Sequence, residues 1–202
     1  AMGEENYKRS RQILADLGAH LGGSAHRLQG TINGKSAREW VREAERELAQ
    51  MPEARIIRRG VVFGYHDHNF LTIRESLTDH LPLADRKGFR ERLWRVRAAQ
   101  VVLATGAHER PLVFGNNDLP GIMLSSAAQR LLRLYGVAPG TRAVVVTAND
   151  DGWAVAADLL AAGIVVAAVA DMRSQSAAER PSLPTDIPVL WSHAPLRADG
   201  RR

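Results

Sequence analysis

Asp16 occupies a position that suits recognition of a nucleotide. It ends the apolar run 13–15 and precedes the glycine-rich segment 22–24. In dinucleotide-binding folds an acid at the end of the second strand binds the ribose hydroxyls, about 20 residues after the first glycine of the phosphate-binding turn. Asp16 fits the place of that acid, and the glycines that follow it predict a tight loop.

Two interpretations of Asp16 stay open on the residues alone. Only ten residues precede the strand that begins at Arg11, and the chain contains no G-x-G-x-x-G. A complete strand–turn–helix–strand unit needs roughly 30 residues. Asp16 therefore belongs either to a dinucleotide-binding domain that lacks its beginning, or to an ordinary strand end whose carboxylate faces water.

Two further polar clusters have the residue types of a metal or ligand site. His66 and His68 would share one face of a strand, but two ligands do not complete a metal site, and a polar turn is the simpler prediction for 66–69. The segment 108–111, His-Glu-Arg-Pro, follows an apolar run, and strand ends line the crevice of α/β sheets. A turn fixed by its proline and a surface pair between its glutamate and arginine also explain it. We predict no catalytic residue and no metal site.

A second acid, Asp171, follows a turn of the wrong chemistry for a phosphate. The turn 147–152 reads Thr-Ala-Asn-Asp-Asp-Gly and leads into a predicted helix. Two carboxylates at a helix N-terminus cap the helix but repel a pyrophosphate from the same place. We therefore predict that this unit is structural.

Hydrophobic periodicity predicts the elements that position these residues. The strands predicted in the first half are 11–16, 55–64, 70–74, 93–97 and 101–104. The last is a continuous apolar run, which is typical of a strand covered on both faces. Ser36 and Glu39 have capping-box spacing, which predicts a helix that begins after Ser36 and is closed by Pro52.

The second half predicts a helix followed by a parallel βαβ unit. The helix is 125–135, and the unit is strand 143–147, helix 152–162 and strand 164–170. The segment 172–188 is rich in serine and proline and is predicted as a surface loop, and 189–191 as a short strand.

These elements favour an α/β fold, a truncated architecture of two Rossmann-like dinucleotide-binding domains with a small antiparallel meander. We expect a partial first dinucleotide-binding domain at 1–140, which lacks its first strand and glycine turn. A partial second Rossmann-like βαβ unit is expected at 141–202.

Composition excludes several classes of site and partner. The 202-residue chain has no cysteine and a net charge of +5. Disulfides, thiolate zinc sites and cysteine nucleophiles are therefore excluded, and a cytoplasmic location is predicted. Arginines alternate with Glu43, Glu45 and Glu47 on the helix after Ser36, which indicates a solvated, ion-paired face rather than a nucleic-acid surface. No apolar run approaches the ~20 residues of a membrane helix, so no membrane partner is expected.

Several segments in series resemble the sarcosine oxidase alpha-subunit family. They are FGYHDHN at 63–69, DH at 79–80, ERLWRVR at 91–97, VVLATGAHERPLVF at 101–114, NND at 116–118, PGIML at 120–124, YGVAPG at 135–140 and TAND at 147–150. The A-T-G element alone recurs across flavin-disulfide-reductase relatives. The whole series is specific, and it covers most of 11–170.

The resemblance implies a role for individual residues. Those that match the family's cofactor-binding positions are Asp16, Gly22, Gly23, Ser24, Val62, Thr105 and Gly106. The first four match the region around the adenosine, the backbone at Val62 would meet the adenine, and the last two match the turn near the pyrophosphate. The family's phosphate-binding glycines have no counterpart in this sequence.

By the same resemblance, the complete alpha chain is part of an oxidoreductase that binds NAD and assembles with beta, gamma and delta subunits, with FAD and FMN in the complex. This chain alone is expected to be inactive. Two alternatives remain: a component of a related opine or amino-acid oxidase or dehydrogenase, and a non-catalytic assembly module. The open edge of strand 11–16 predicts self-association.

Overall fold

The computed structural model describes residues 12–27, 30–175, 183–184 and 186–200. The chain forms two compact units, Ala1–Thr105 and Gly106–Arg202. This division differs from the boundary expected at 140/141, and the assignment of 1–140 and 141–202 as partial domains stays a prediction. Within the described residues, no helix has the length and apolarity needed to cross a membrane.

The first unit contains a parallel pair of strands joined through a helix. Strand β1, Gln12–Asp16, pairs with β4, Ala54–Arg58, in register from end to end. The connection carries a minimal hairpin of β2, Thr31–Ile32, and β3, Lys35–Ser36, followed by helix α1, Ala37–Gln50. The predicted strand before Asp16 and the predicted helix after Ser36 are both confirmed.

The start of α1 follows from its capping residues. The Ser36 hydroxyl accepts a hydrogen bond from the Glu39 backbone N–H at 3.2 Å, and the Glu39 carboxylate accepts from the Ser36 N–H at 3.3 Å. This reciprocal pair satisfies two donors that a helix leaves open at its first turn. The helix ends at Met51, directly before Pro52, whose ring cannot continue it.

An antiparallel meander completes the first unit. Its strands are β5, Gly60–His66; β6, Phe70–Ser76; and β7, Glu91–Arg97, in the order β5-β6-β7. Ile73 and Trp94 from one face of the meander pack with Ile57 of β4 into a small buried cluster. The predicted meander is confirmed, and its apolar face is what holds it to the parallel pair.

The segment 101–104 is not the buried strand predicted from its apolar run. It has no regular secondary structure, and the side chains of Val102 and Leu103 are 89% and 70% exposed. A continuous apolar run forms a buried strand only where neighbouring strands and covering helices exist. No strand of the described residues pairs with this segment, so the prediction is wrong.

The second unit is a parallel three-stranded sheet with helices. Helix α2, Ser125–Tyr135, precedes strand β8, Arg142–Thr147; helix α3, Asp150–Ala161; and strand β9, Val165–Asp171. Strand β10, Val189–Trp191, adds to β9 on the side away from β8, and both pairings are parallel. The predicted helix, βαβ unit and final short strand are all confirmed.

The core of the second unit lies where α3 packs on the sheet. Trp153 and Val169 are fully buried at its centre. Leu183 and Ile187 also belong to this core, although 172–188 is predicted as a surface loop. That prediction is wrong at these two positions, because isolated apolar residues in a polar segment have no periodicity that reveals burial. Residues 176–182 and 185 lie outside the described residues.

Candidate functional site

Asp16 stands at the carboxyl end of β1, beside Arg58 at the end of β4. Its Oδ1 accepts a hydrogen bond from the Gly18 N–H at 2.6 Å. The Gly18 carbonyl in turn accepts from the Arg59 N–H at 2.9 Å. The carboxyl edge of a parallel sheet is where α/β folds bind ligands, so this half-buried acid has the position predicted for it.

The glycines after Asp16 are required by the path of the loop. Gly22 and Gly23 have φ angles of 97° and 44°, which residues with a side chain adopt at a cost. A Cβ on Gly22 would lie 2.6 Å from Cγ2 of Val41 on α1. Ser24 follows in a single helical turn, Gly23–His26. The structure thus brings Asp16 and these three residues into one loop that packs against α1.

Glu45 is part of this loop's surroundings and does not belong to the solvated face predicted for it. Its side chain is only 16% exposed, and its Oε1 accepts from the Leu21 N–H at 2.9 Å and from Arg58 Nη2 at 3.4 Å. Burial raises the pKa of Glu45, but the Leu21 N–H and the Arg58 guanidinium outweigh it and lower the pKa below its ordinary value.

The spacing of α1 contains the pattern that reveals Glu45. Val41 and Leu48 lie on the apolar stripe of the helix, and Glu45 falls between them, four residues after the first and three before the second. Such a residue shares the face that packs inward. An acid on an apolar stripe indicates a specific partner, because a carboxylate buried without one is costly.

The other predicted site residues are placed as follows. Val62 is in β5, an edge strand of the meander that contacts β1, and it pairs with Ile73. Thr105 ends the first unit, and Gly106, with a φ of 68°, begins the second. Both are exposed and outside regular structure. Their cofactor-binding roles stay predictions.

The turn of the second unit is occupied by the protein's own side chains. Asp171 is fully buried and accepts from the Trp153 indole N–H at 2.8 Å and from the Arg173 guanidinium at 2.9 and 3.1 Å. Arg173 also pairs with Asp150 at 2.9 Å, and Asn149 caps α3. Burial raises the pKa of Asp171, but the hydrogen bonds from Arg173 and Trp153 hold it below its ordinary value.

This closed network gives the second βαβ unit a structural character. Each carboxylate oxygen of Asp171 already accepts hydrogen bonds, and the two acids that open α3 carry the charge that repels phosphate. The unit therefore has the shape of a nucleotide-binding element without its chemistry.

The remaining polar clusters are turns and caps. His68 lies in the turn Asp67–Asn69 with a φ of 59°, which confirms the predicted turn. Across the described parts of the chain, no three histidine, aspartate or glutamate side chains come together as metal ligands would. Glu109 accepts hydrogen bonds from the backbone N–H groups of Ser125 and Ser126, at 2.9 and 2.7 Å, and so caps α2.

Comparison with known proteins agrees with this architecture. No protein-family model matches the sequence. The sarcosine oxidase alpha subunit of Rhizobium meliloti (strain 1021) is 42% identical over 164 residues, and that of Corynebacterium sp. (strain P-1) is 42% identical over 183 residues. The two alignments cover 81% and 90% of this chain. The chain is homologous to a segment of the sarcosine oxidase alpha subunit. It spans 17% and 19% of these two relatives' lengths.

Two further relatives set the limits of this similarity. A subunit of the opine oxidase of Agrobacterium tumefaciens (strain Ach5) is 38% identical, but only over 69 residues, or 34% of this chain. The crystal structure of L-proline dehydrogenase from P. horikoshii superposes with a TM-score of 0.63 at 21% identity, covering 94% of this chain and 37% of that one. This likeness confirms the predicted Rossmann-like α/β fold. All these relatives are oxidoreductases by name.

Proposed function

We propose that this chain is the part of a sarcosine oxidase alpha subunit that binds the adenosine half of NAD. The whole oxidoreductase would convert sarcosine to glycine by oxidative demethylation, together with beta, gamma and delta subunits that carry or share FAD and FMN. Its location would be the cytoplasm. The observation that carries the proposal is Asp16, placed at the carboxyl end of β1 directly before the loop of Gly22 and Gly23.

The residues of the first unit fit an adenosine better than a whole dinucleotide. A carboxylate at a strand end can accept hydrogen bonds from two ribose hydroxyls, and the loop beside it has no side chain at two consecutive positions. Oδ1 of Asp16 is already oriented by Gly18. When bound, NAD would supply hydride-transfer chemistry; the chain's own contribution here is to orient the ribose.

Replacement of Asp16 tests the proposal in the full-length gene product. We expect Asp16→Ala to weaken NAD binding by about 1–3 kcal/mol, because the ribose hydroxyls lose a charged acceptor. Isothermal titration calorimetry with NAD measures the change. Asp85→Ala, in an exposed turn of the same unit, is the matched control and should bind as the wild type does. Unchanged affinity in Asp16→Ala would identify Asp16 as a surface acid.

A second candidate function is a scaffold that supports the assembly of subunits and binds no nucleotide. The closed network of Asp171, Arg173 and Asp150 favours it, because the more complete βαβ unit offers a pyrophosphate no free donors at its turn. Titration of the 202-residue chain itself with NAD separates the two. Binding at micromolar concentration contradicts the scaffold function, whereas heat-silent titration of a folded chain contradicts nucleotide binding by these residues alone.

A further inference from the structure

One face of α1 holds the loop that contains the proposed adenosine site. Arg38, Val41 and Glu45 follow one another at intervals of three and four residues, so they lie in a row along the helix. The Arg38 guanidinium donates to the His26 carbonyl at 3.2 Å, and the Val41 side chain fills the space beside Gly22. The third contact, from Glu45 to Leu21, is the one nearest to Asp16 along the chain.

The Glu45 contact is a buried, charge-assisted hydrogen bond to the backbone. The Leu21 N–H donates to Oε1 at 2.9 Å, and the Leu21 carbonyl contacts His26 Nε2 at 2.5 Å. Both polar groups of this peptide position are therefore satisfied by side chains. Hydrogen bonds to an ionised acceptor are about twice as strong as neutral ones, so this contact restrains the loop more than its neighbours do.

The two ends of the segment 18–21 are fixed from opposite sides. Gly18 is held between the Asp16 carboxylate and the Arg59 N–H, both on the sheet. Leu21 is held by Glu45, on the helix. A segment of four residues with both ends fixed has few conformations left, and the carboxylate of Asp16 is bonded to one of those ends. Movement at Leu21 therefore reaches Asp16 through Gly18.

We propose that Glu45 is a positioning residue for the adenosine site, acting through the Leu21 N–H to keep the loop and the Asp16 carboxylate in their binding geometry. The inference rests on the proposed nucleotide function and extends it to a residue outside the first set of predicted contacts. The fold of α1 does not depend on Glu45, since the capping box at Ser36 and the buried Val41 stabilise the helix independently.

Four variants of the full-length gene product test this inference. Glu45→Ala removes the acceptor; Glu45→Asp keeps the charge but retracts it by one methylene group; Glu45→Gln keeps an acceptor oxygen at full reach. Glu43→Ala is the matched control, because Glu43 lies on the same helix and pairs only with Lys35 among the ion pairs seen. NAD affinity is measured by calorimetry, and backbone hydrogen exchange is followed in 17–22 and, as a check of the fold, in β6 and β7.

We expect the NAD dissociation constant to rise about tenfold in Glu45→Ala and Glu45→Asp, with faster exchange in 17–22 and unchanged exchange in the meander. Glu45→Gln should stay within about twofold of the wild type, since the long contact to Arg58 contributes little. Glu43→Ala should change neither quantity. The aspartate variant covers the case in which the alanine variant fails to fold.

The outcomes separate this inference from the proposed function. If the wild type binds NAD and Glu45→Asp binds it equally well, the positioning role is wrong while nucleotide binding stands. Faster exchange in 17–22 without a loss of affinity has the same meaning, because the anchor would then be structural only. If the wild type does not bind NAD, both proposals fail together.

Discussion

Arg59 shows how closely the proposed site is tied to backbone geometry. It has a φ of 52°, in the left-handed region that costs a residue with a Cβ about 1 kcal/mol. Its N–H bonds to the Gly18 carbonyl, and its carbonyl accepts from the Ser76 N–H at 3.1 Å. The turn between β4 and β5 is thus held in a costly conformation by contacts to the loop after Asp16 and to the meander.

Replacement of Arg59 by glycine should relieve this cost. We expect Arg59→Gly to raise the free energy of opening of the meander by about 0.5 kcal/mol, which is the relief of strain less the added entropy of the unfolded glycine. Arg59→Ala retains the strain and serves as the control. Hydrogen exchange in β6 measures both. Equal stability of the two variants would show that the left-handed turn costs nothing here.

At the residue scale the sequence predicts positions better than contacts. Asp16 is recognisable because an acid directly after an apolar run marks a strand end, and that inference needs only local order. Glu45 is missed because it stands between Glu43 and Glu47 in a run of charges. Its partner, the Leu21 N–H, is 24 residues away and reaches it only when the loop folds back onto α1.

At the scale of elements, α2 and α3 are joined by a buried ionic contact. Asp158 of α3 accepts from the Arg133 Nε at 3.0 Å and from the Gln129 amide at 2.9 Å. The Asp158 side chain is 3% exposed and that of Arg133 is 28% exposed. The contact raises the pKa of Arg133, first through its hydrogen bonds to Asp158. A buried carboxylate with three donors orders the two helices against each other.

Loss of the Asp158 carboxylate should destabilise the second unit. We expect Asp158→Ala to lower its free energy of unfolding by about 3 kcal/mol, because Arg133 and Gln129 keep their polar groups at the interface without this acceptor. Arg130→Ala, an exposed change on α2, should alter it by about 0.5 kcal/mol or less. Denaturant unfolding of both variants gives the values. A similar small effect of both changes would make the contact dispensable.

Elements are predicted correctly where their stabilising residues are local. The capping box of α1, the glycine after α2 and the alternating strands of the meander each carry their own pattern, and all appear in the structure. The segment 101–104 has an equally strong apolar pattern but no strand beside it among the described residues. Its conformation depends on neighbours, which periodicity does not report.

At the scale of the whole molecule the two units differ in how completely their sheets are bordered. In the second unit β9 lies between two parallel partners, and α3 covers a face whose core includes Trp153 and Val169. In the first unit the parallel sheet is the single pair β1 and β4. Within the described residues the outer edge of β1 has no strand partner, and an open edge is a site for pairing with another chain.

This difference predicts unequal local stability and a concentration-dependent association. We expect slower hydrogen exchange in 144–146 and 165–169 than in 13–15, by about 2 kcal/mol in opening free energy, because the first two are inside or beside a covered sheet. We also expect the 202-residue chain to self-associate through β1. Sedimentation of the chain at several concentrations, with exchange measured in parallel, tests both. Association should protect 13–15 selectively as concentration rises, since pairing closes that edge alone. Equal protection of all three segments in a strictly monomeric chain would mean that the edge of β1 is already closed within one molecule, and the prediction of self-association through it would be wrong.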